Sequence, residues 1–176
     1  IVVNKWNTIP DGYQTELTTL SNGKQVDSRI YPALQDLFDA MRADGIYPIV
    51  REGYRTTTDQ QSILDDKIKA YEQEGLSSLL AKKMASEWVA APGTSEHQLG
   101  IAVDINADKT KSTNDEVYTW LAEHAWEYGF ILRYPKDKEN VTGTGYEPWH
   151  YRYVGKEAAK EIWQEGCCLE EYVTQN

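Results

Sequence analysis

Residues 95–106 read Ser95-Glu96-His97-Gln98-Leu99-Gly100-Ile101-Ala102-Val103-Asp104-Ile105-Asn106. From Leu99 onward the pattern alternates. Leu99, Ile101, Val103 and Ile105 point one way, and Gly100, Ala102 and Asp104 the other. A period of two predicts a β-strand with one buried face. Asp104 is the anomaly: an acid buried there without a partner is costly. One reading is an exposed acid at a strand edge. The other is a ligand to a cation, for which small Gly100 and Ala102 leave room.

The flanking segments supply both helices and strands. Ile30, Leu34, Leu37, Phe38 and Met41 recur at helical spacing, with Asp27 and Ser28 available as caps, Pro32 in the first turn and Gly45 as a stop. Ile46–Arg51 reads as a short strand. A helix opening at Asp59 carries Leu64, Ile68 and Tyr71, and another capped by Ser77 carries Leu80, Met84 and Trp88. Ala91-Pro92-Gly93 breaks the chain. A helix from Asn114 carries Val117, Trp120, Leu121, His124 and Tyr128 up to Gly129. Phe130–Tyr134 and the Trp149, Tyr151, Tyr153 alternation predict two more strands, joined by a polar loop over 135–145. Lys156–Glu165 predicts a last helix, and residues 1–26 read as irregular. Helices and strands mix without regular alternation, so the expected class is α+β, a small antiparallel sheet flanked by helices.

The 176 residues suit one domain, expected to bury about 70% of the surface of the unfolded chain. With 28 Asp+Glu against 18 Lys+Arg the net charge is −10. No basic stripe is present, which argues against nucleic acid as a partner. No apolar run approaches the roughly 20 residues of a membrane span. The chain opens on Ile1-Val2-Val3-Asn4 without a basic-then-apolar leader, so a mature domain whose N-terminal anchor lies outside it is expected. Neighbouring Cys167 and Cys168 form no disulfide framework and are expected to be buried, inert thiols.

There are three histidines. His124 lies on an apolar helix stripe and reads as structural. His97 lies in the turn before the 99–106 strand, and His150 in a strand able to pair beside it. Together with Asp104 they offer three ligands. Three protein ligands leave a fourth position open to water, as in a catalytic zinc site, and nitrogen and carboxylate donors suit zinc without excluding other divalent metals. Glu147, biased to extended backbone by Pro148, is placed at the mouth of the strand, where it can move a proton. Arg55, in Gly53-Tyr54-Arg55, offers a guanidinium to a carbonyl or carboxylate, with Gln60 nearby.

These stretches resemble known signatures. Residues 95–104 resemble the SxHxxGxAxD motif of the VanY-type zinc D-Ala-D-Ala carboxypeptidases. Glu147-Pro148-Trp149-His150 resembles their ExWH motif, and Gly53-Tyr54-Arg55 with Gln60 their SGYR…Q segment. Related L,D-carboxypeptidases and VanX-type dipeptidases share the pattern. The resemblance runs from about Asn4 to Tyr172. It implies one Zn2+ ion on His97, Asp104 and His150, and Glu147 as general base and acid. It further implies Arg55 as stabiliser of the developing oxyanion, and Ser95, Gln98, Gln60 and Trp149 as substrate-binding residues. It implies the small α+β fold shared with lysostaphin-type endopeptidases and the Hedgehog signalling domain. The implied activity is removal of C-terminal D-Ala from a peptidoglycan stem pentapeptide, by a monomer acting outside the cytoplasmic membrane. L,D-carboxypeptidase or dipeptidase action, or a non-catalytic wall-binding module, are the alternatives. Glu52 stands where the family has Ser, which adds a negative charge near Arg55.

Overall fold

In the computed structural model, which describes residues 1–175, the first regular element is a hairpin of β1 (Leu17–Thr19) and β2 (Gln25–Asp27). The sequence reading leaves this region irregular, because alternation over three residues carries no period. Helix α1 (Tyr31–Ala43) buries Leu34, Leu37, Phe38 and Met41 as its spacing predicts. Neither Asp27 nor Ser28 caps it: the N-cap is Ile30, without a side-chain cap bond. Asp27 accepts instead from the main chain and guanidinium of Arg29 and from Thr15.

Strand β3 (Pro48–Glu52) leads into α2 (Thr57–Gln73). Thr56 and Asp59 satisfy each other's main-chain N–H in a capping box. Helix α3 (Ser78–Ala85) starts at the expected Ser77 cap, but its buried face is not the Leu80, Met84, Trp88 stripe. Ala81 and Ala85 are fully buried, while Leu79, Leu80 and Trp88 are exposed. Two small residues one turn apart let α3 lie close to α2, and the helix ends before Trp88.

A 3-10 turn, Glu96–Leu99, ends at Gly100 in the left-handed region (φ 76°), and β4 (Ala102–Ala107) follows. Leu99 is thus buried in the turn rather than in the strand. Next come α4 (Asn114–His124), a 3-10 turn at Ala125–Tyr128, and β5 (Phe130–Leu132). One-turn helix α5 (Glu139–Thr142) interrupts the predicted polar loop. Then come β6 (His150–Tyr153), α6 (Lys156–Glu165) and α7 (Leu169–Gln175). Helix α6 has the predicted bounds; α7 is an addition.

The main sheet is antiparallel, in the order β3-β4-β6-β5, so the α+β expectation holds. One face carries Val50, Val103, Ile105 and Tyr151 into a core with Leu34, Leu37, Met41, Val117 and Leu121. Each fully buried aliphatic side chain there contributes about 1.5–3 kcal/mol. The other face holds a polar row, because Glu52 pairs with Asp104 and Asp104 with His150. An irregularity between Val50 and Glu52 brings Glu52 into that row.

β2 braces this arrangement. The main-chain oxygen of Gln25 accepts from Tyr54 N (2.7 Å), and Asp27 N donates to the Gly100 carbonyl (2.8 Å). The contact requires glycine at 53, since a Cβ there would collide with the Gln25 oxygen. Gly53→Ala is expected to lower stability by about 1–3 kcal/mol, measured by urea unfolding. An unchanged midpoint would show that the hairpin does not press on this loop.

Candidate active site

Asp104 and His150 lie directly opposite on β4 and β6, so the carboxylate and the imidazole emerge on one face. His97 reaches them from the 3-10 turn. Its Nδ1 lies 2.9 Å from the Gly53 carbonyl, which can only accept, so Nδ1 carries the proton and Nε2 is bare. That Nε2 faces Asp104 Oδ1 at 3.3 Å. His150 is turned the other way round: its Nε2 lies 3.4 Å from Glu96 Oε2 and its Nδ1 3.1 Å from Asp104 Oδ1. The two rings meet edge to face, 4.8 Å between centroids.

Asp104 Oδ1 is buried and has no hydrogen-bond partner. The ligand atoms of His97, Asp104 and His150 lie within 4.8 Å of one another. Three lone pairs converging in a buried site need a positive charge between them. A tetrahedral centre with bonds of about 2.0–2.1 Å sets its ligands about 3.3 Å apart. The Asp104 contacts, 3.1 and 3.3 Å, already match that edge. Two imidazole nitrogens and one carboxylate, with no thiolate, fit a zinc-like divalent ion.

Failing a metal, a proton fills the gap. Burial alone would lower the pKa of His150. The close Asp104 and Glu96 carboxylates, with the charge of Glu147, outweigh it and raise the pKa to about 9. His97 moves down, mainly through burial.

Glu147 stands where the proline places it. The chain turns at Pro148, with His150 N donating to the Glu147 carbonyl (3.2 Å), and the Glu147 carboxylate ends 3.6 Å from His150 Nδ1. Positions 147 and 150 thereby share the site although a strict strand would separate them. Burial raises Glu147 to about 7; His150 and Arg55 oppose this and Asp104 adds to it.

Arg55 enters from the loop after β3, its N–H bound to the His97 carbonyl (3.1 Å). Its Nη1 donates to Gln60 Oε1 (3.3 Å), and Nη2 lies 3.6 Å from Glu52 and 3.9 Å from Asp104. Its Nε is buried without a partner. The charge of Glu52 does fall beside Arg55, as expected, but Lys24 shares it at 2.9 Å.

These groups line a cavity of about 210 Å3 together with Ser95, Gln60, Trp149, Trp88 and Tyr134. Gln60 is buried and its amide bridges Arg55 to the Ala90 carbonyl. Gln98 does not line the cavity: it accepts from Gly93 N and donates to Thr57, bracing the 91–94 turn. The sequence reading did not single out Tyr134, whose ring lies tilted against His150 with 4.8 Å between centroids, or Glu96. His124 stays outside, its ring tilted against Trp120 and paired with Glu127. Cys168 is buried as expected and Cys167 only partly; both are free.

Fold and donor set define a small α+β protein built around one buried metal site with an adjacent carboxylate and guanidinium. The family profile described as VanY, D-alanyl-D-alanine carboxypeptidase, matches residues 23–156, and the chain belongs to that family. It is 60% identical over 173 residues to a D-alanyl-D-alanine carboxypeptidase of Enterococcus faecalis (strain ATCC 700802 / V583), covering 98% of this chain and 65% of that protein's length. Two solved structures superpose with TM-score 0.96 at 60% identity. One is a vancomycin resistance D,D-pentapeptidase VanY mutant from a VanB-type resistance cassette in complex with Zn(II), covering 98% of this chain and 97% of that one. The other is VanYB in complex with D-alanine-D-alanine, covering 99% and 96%.

Because His150 holds a proton where the metal belongs, metal binding must expel it. Apparent affinity is expected to fall about tenfold per pH unit below about 9. Calorimetry in buffers of different ionisation enthalpy should show at least one proton released per metal near pH 7, His150 giving one and Glu147 adding to it. Binding without proton release would contradict this.

Proposed function

We propose that this chain is a zinc-dependent D,D-carboxypeptidase that removes the C-terminal D-Ala from peptidoglycan stem pentapeptides or their precursors. The observation that carries this reading is the Glu147 carboxylate 3.6 Å from His150 Nδ1, beside the His97, Asp104, His150 group. The E. faecalis relative's name and the Zn(II) and D-alanine-D-alanine complexes of the similar structures support it.

His97, Asp104 and His150 would hold the ion. When bound, zinc acts as a Lewis acid and lets a water molecule lose its proton near neutral pH. Glu147, with a pKa of about 7, takes the proton of the water that attacks the penultimate carbonyl carbon. As the C–N bond breaks, it returns that proton to the amine of the departing D-Ala. Arg55 faces the carbonyl oxygen as negative charge develops, and Gln60 holds the guanidinium in place. Ser95 and Trp149 line the cavity and position the peptide end; Gln98 acts from behind, through the turn it braces. Residues 1–176 work as one catalytic domain. The acting unit in this proposal is the monomer. Action outside the cytoplasmic membrane follows from the substrate. No described helix is long and apolar enough to cross a membrane.

Glu147→Ala should keep its zinc yet release D-Ala from a defined pentapeptide about 10²–10⁴-fold more slowly. Full activity would remove Glu147 from the mechanism. His97→Ala should lose the metal, read by metal analysis. Since Glu147 must be ionised, kcat/KM should fall as pH drops, with the limb at or below about 7 because a bound cation favours the carboxylate. Release from tetrapeptide or dipeptide in preference to pentapeptide would redirect the assignment to L,D-carboxypeptidase or dipeptidase action.

A further inference from the structure

Behind the metal group lies a buried charge cluster that the reaction does not use. Glu96 and Arg133 are fully enclosed, and Arg152 is nearly so. Glu96 Oε1 accepts from both arginines, from Arg133 Nε and Arg152 Nη1, each at 2.7 Å. That leaves Oε2 for His150 Nε2, at 3.4 Å. Each arginine is fixed from its far side. Arg133 makes two bonds to Glu170 of α7 (2.8 and 2.6 Å) and reaches the Val3 carbonyl. Arg152 donates to the carbonyls of Ile1 (2.7 Å) and Tyr153 (3.0 Å). Asn4 joins Glu170 from the same segment (2.9 Å). Two carboxylates and two guanidinium groups make the cluster neutral, so its charges persist in the interior.

We propose that Glu96 is a positioning residue for the metal centre: it fixes the proton of His150 on Nε2, leaves Nδ1 to the metal, and is itself held by Arg133 and Arg152. The segment Ile1–Asn4 and helix α7 thereby become structural supports of His150. This inference rests on the metallopeptidase reading above. Its physical basis is geometric. A carboxylate locked between two anchored guanidinium groups cannot rotate, so the ring it holds cannot turn its other nitrogen toward Asp104. His97 needs no such device, because the Gly53 carbonyl does the same for it. A carboxylate or carbonyl behind a ligand histidine typically changes metal affinity 10–100-fold.

The test is zinc affinity, read by competition against a chelator of known affinity well below the unfolding temperature. Glu96→Gln should bind zinc 10–100-fold more weakly than the parent. In the cobalt-substituted protein its visible absorption should change in shape as well as in saturation. If Glu96→Gln does not fold, the charge-balanced Glu96→Gln/Arg152→Gln variant replaces it, with the same loss expected. Zinc affinity within threefold of the parent in either folded variant overturns the proposal. Nitrogen NMR of the zinc-loaded parent provides a test free of mutation: His150 should carry its proton on Nε2 and His97 on Nδ1. A His150 bound through Nε2 overturns it equally. A parent that binds no zinc would instead overturn the metallopeptidase reading.

Discussion

Three lone pairs directed at one buried point are the constraint around which this molecule is organised. Asp104 Oδ1 has a bare imidazole nitrogen on one side and the Nδ1 of His150 on the other, both within 3.3 Å, and makes no hydrogen bond. Such a point is tolerable only with positive charge in it. The surroundings ensure that this charge is a cation held by these three atoms. Gly53 takes the other nitrogen of His97, and Glu96 takes that of His150. Arg55 is kept to the rim, 3.9 Å from the second oxygen of Asp104.

Positioning three ligands this closely demands three chain segments in register. The sheet provides two of them, since Asp104 and His150 are paired residues on adjacent strands. A slip of one residue would send one of them into the apolar core. The third comes from the 3-10 turn, where Gly100 turns the chain from His97 into β4. β2 binds the main chain on both sides of this junction, at Tyr54 and at Gly100. A hairpin of three-residue strands with little core of its own thus sets the height of the Gly53 carbonyl over His97.

What could be read from the sequence divides along the range of the interactions. The alternation of 99–106, the anomaly of Asp104 and the effect of Pro148 on Glu147 are local; the structure follows the alternation from Ala102 onward, while Leu99 falls in the 3-10 turn, and it brings Asp104 and Glu147 to the site. The helical spacing of α1 and the bounds of α6 were equally legible. The α3 stripe failed because close packing against α2 selects alanines over leucines, a choice that hydrophobic periodicity does not encode. Glu96, Arg133 and Arg152 were illegible for a further reason. Each alone looks like a solvated charge, and only their meeting from three segments makes them an interior cluster. The one available signal was an arginine inside each of two otherwise apolar or aromatic stretches, Phe130–Tyr134 and Tyr151–Tyr153.

The same distinction bears on Glu52. In sequence it is a departure that adds negative charge beside Arg55. In the structure it sits in one row with Asp104 and His150, within reach of both Arg55 and Lys24. Its charge is therefore divided between two cations, one of them on the hairpin that braces the site. Arg55 keeps its Nε free of any partner and its Nη1 on the neutral Gln60 amide. A guanidinium fully neutralised by carboxylates would have little attraction left for any further negative charge in the cavity, whereas one tethered chiefly by an amide retains it. Lys24 thus does for Glu52 what Arg133 and Arg152 do for Glu96: each of these two acids is assigned its own cation, so that Asp104 and Glu147 remain the carboxylates that face the metal position.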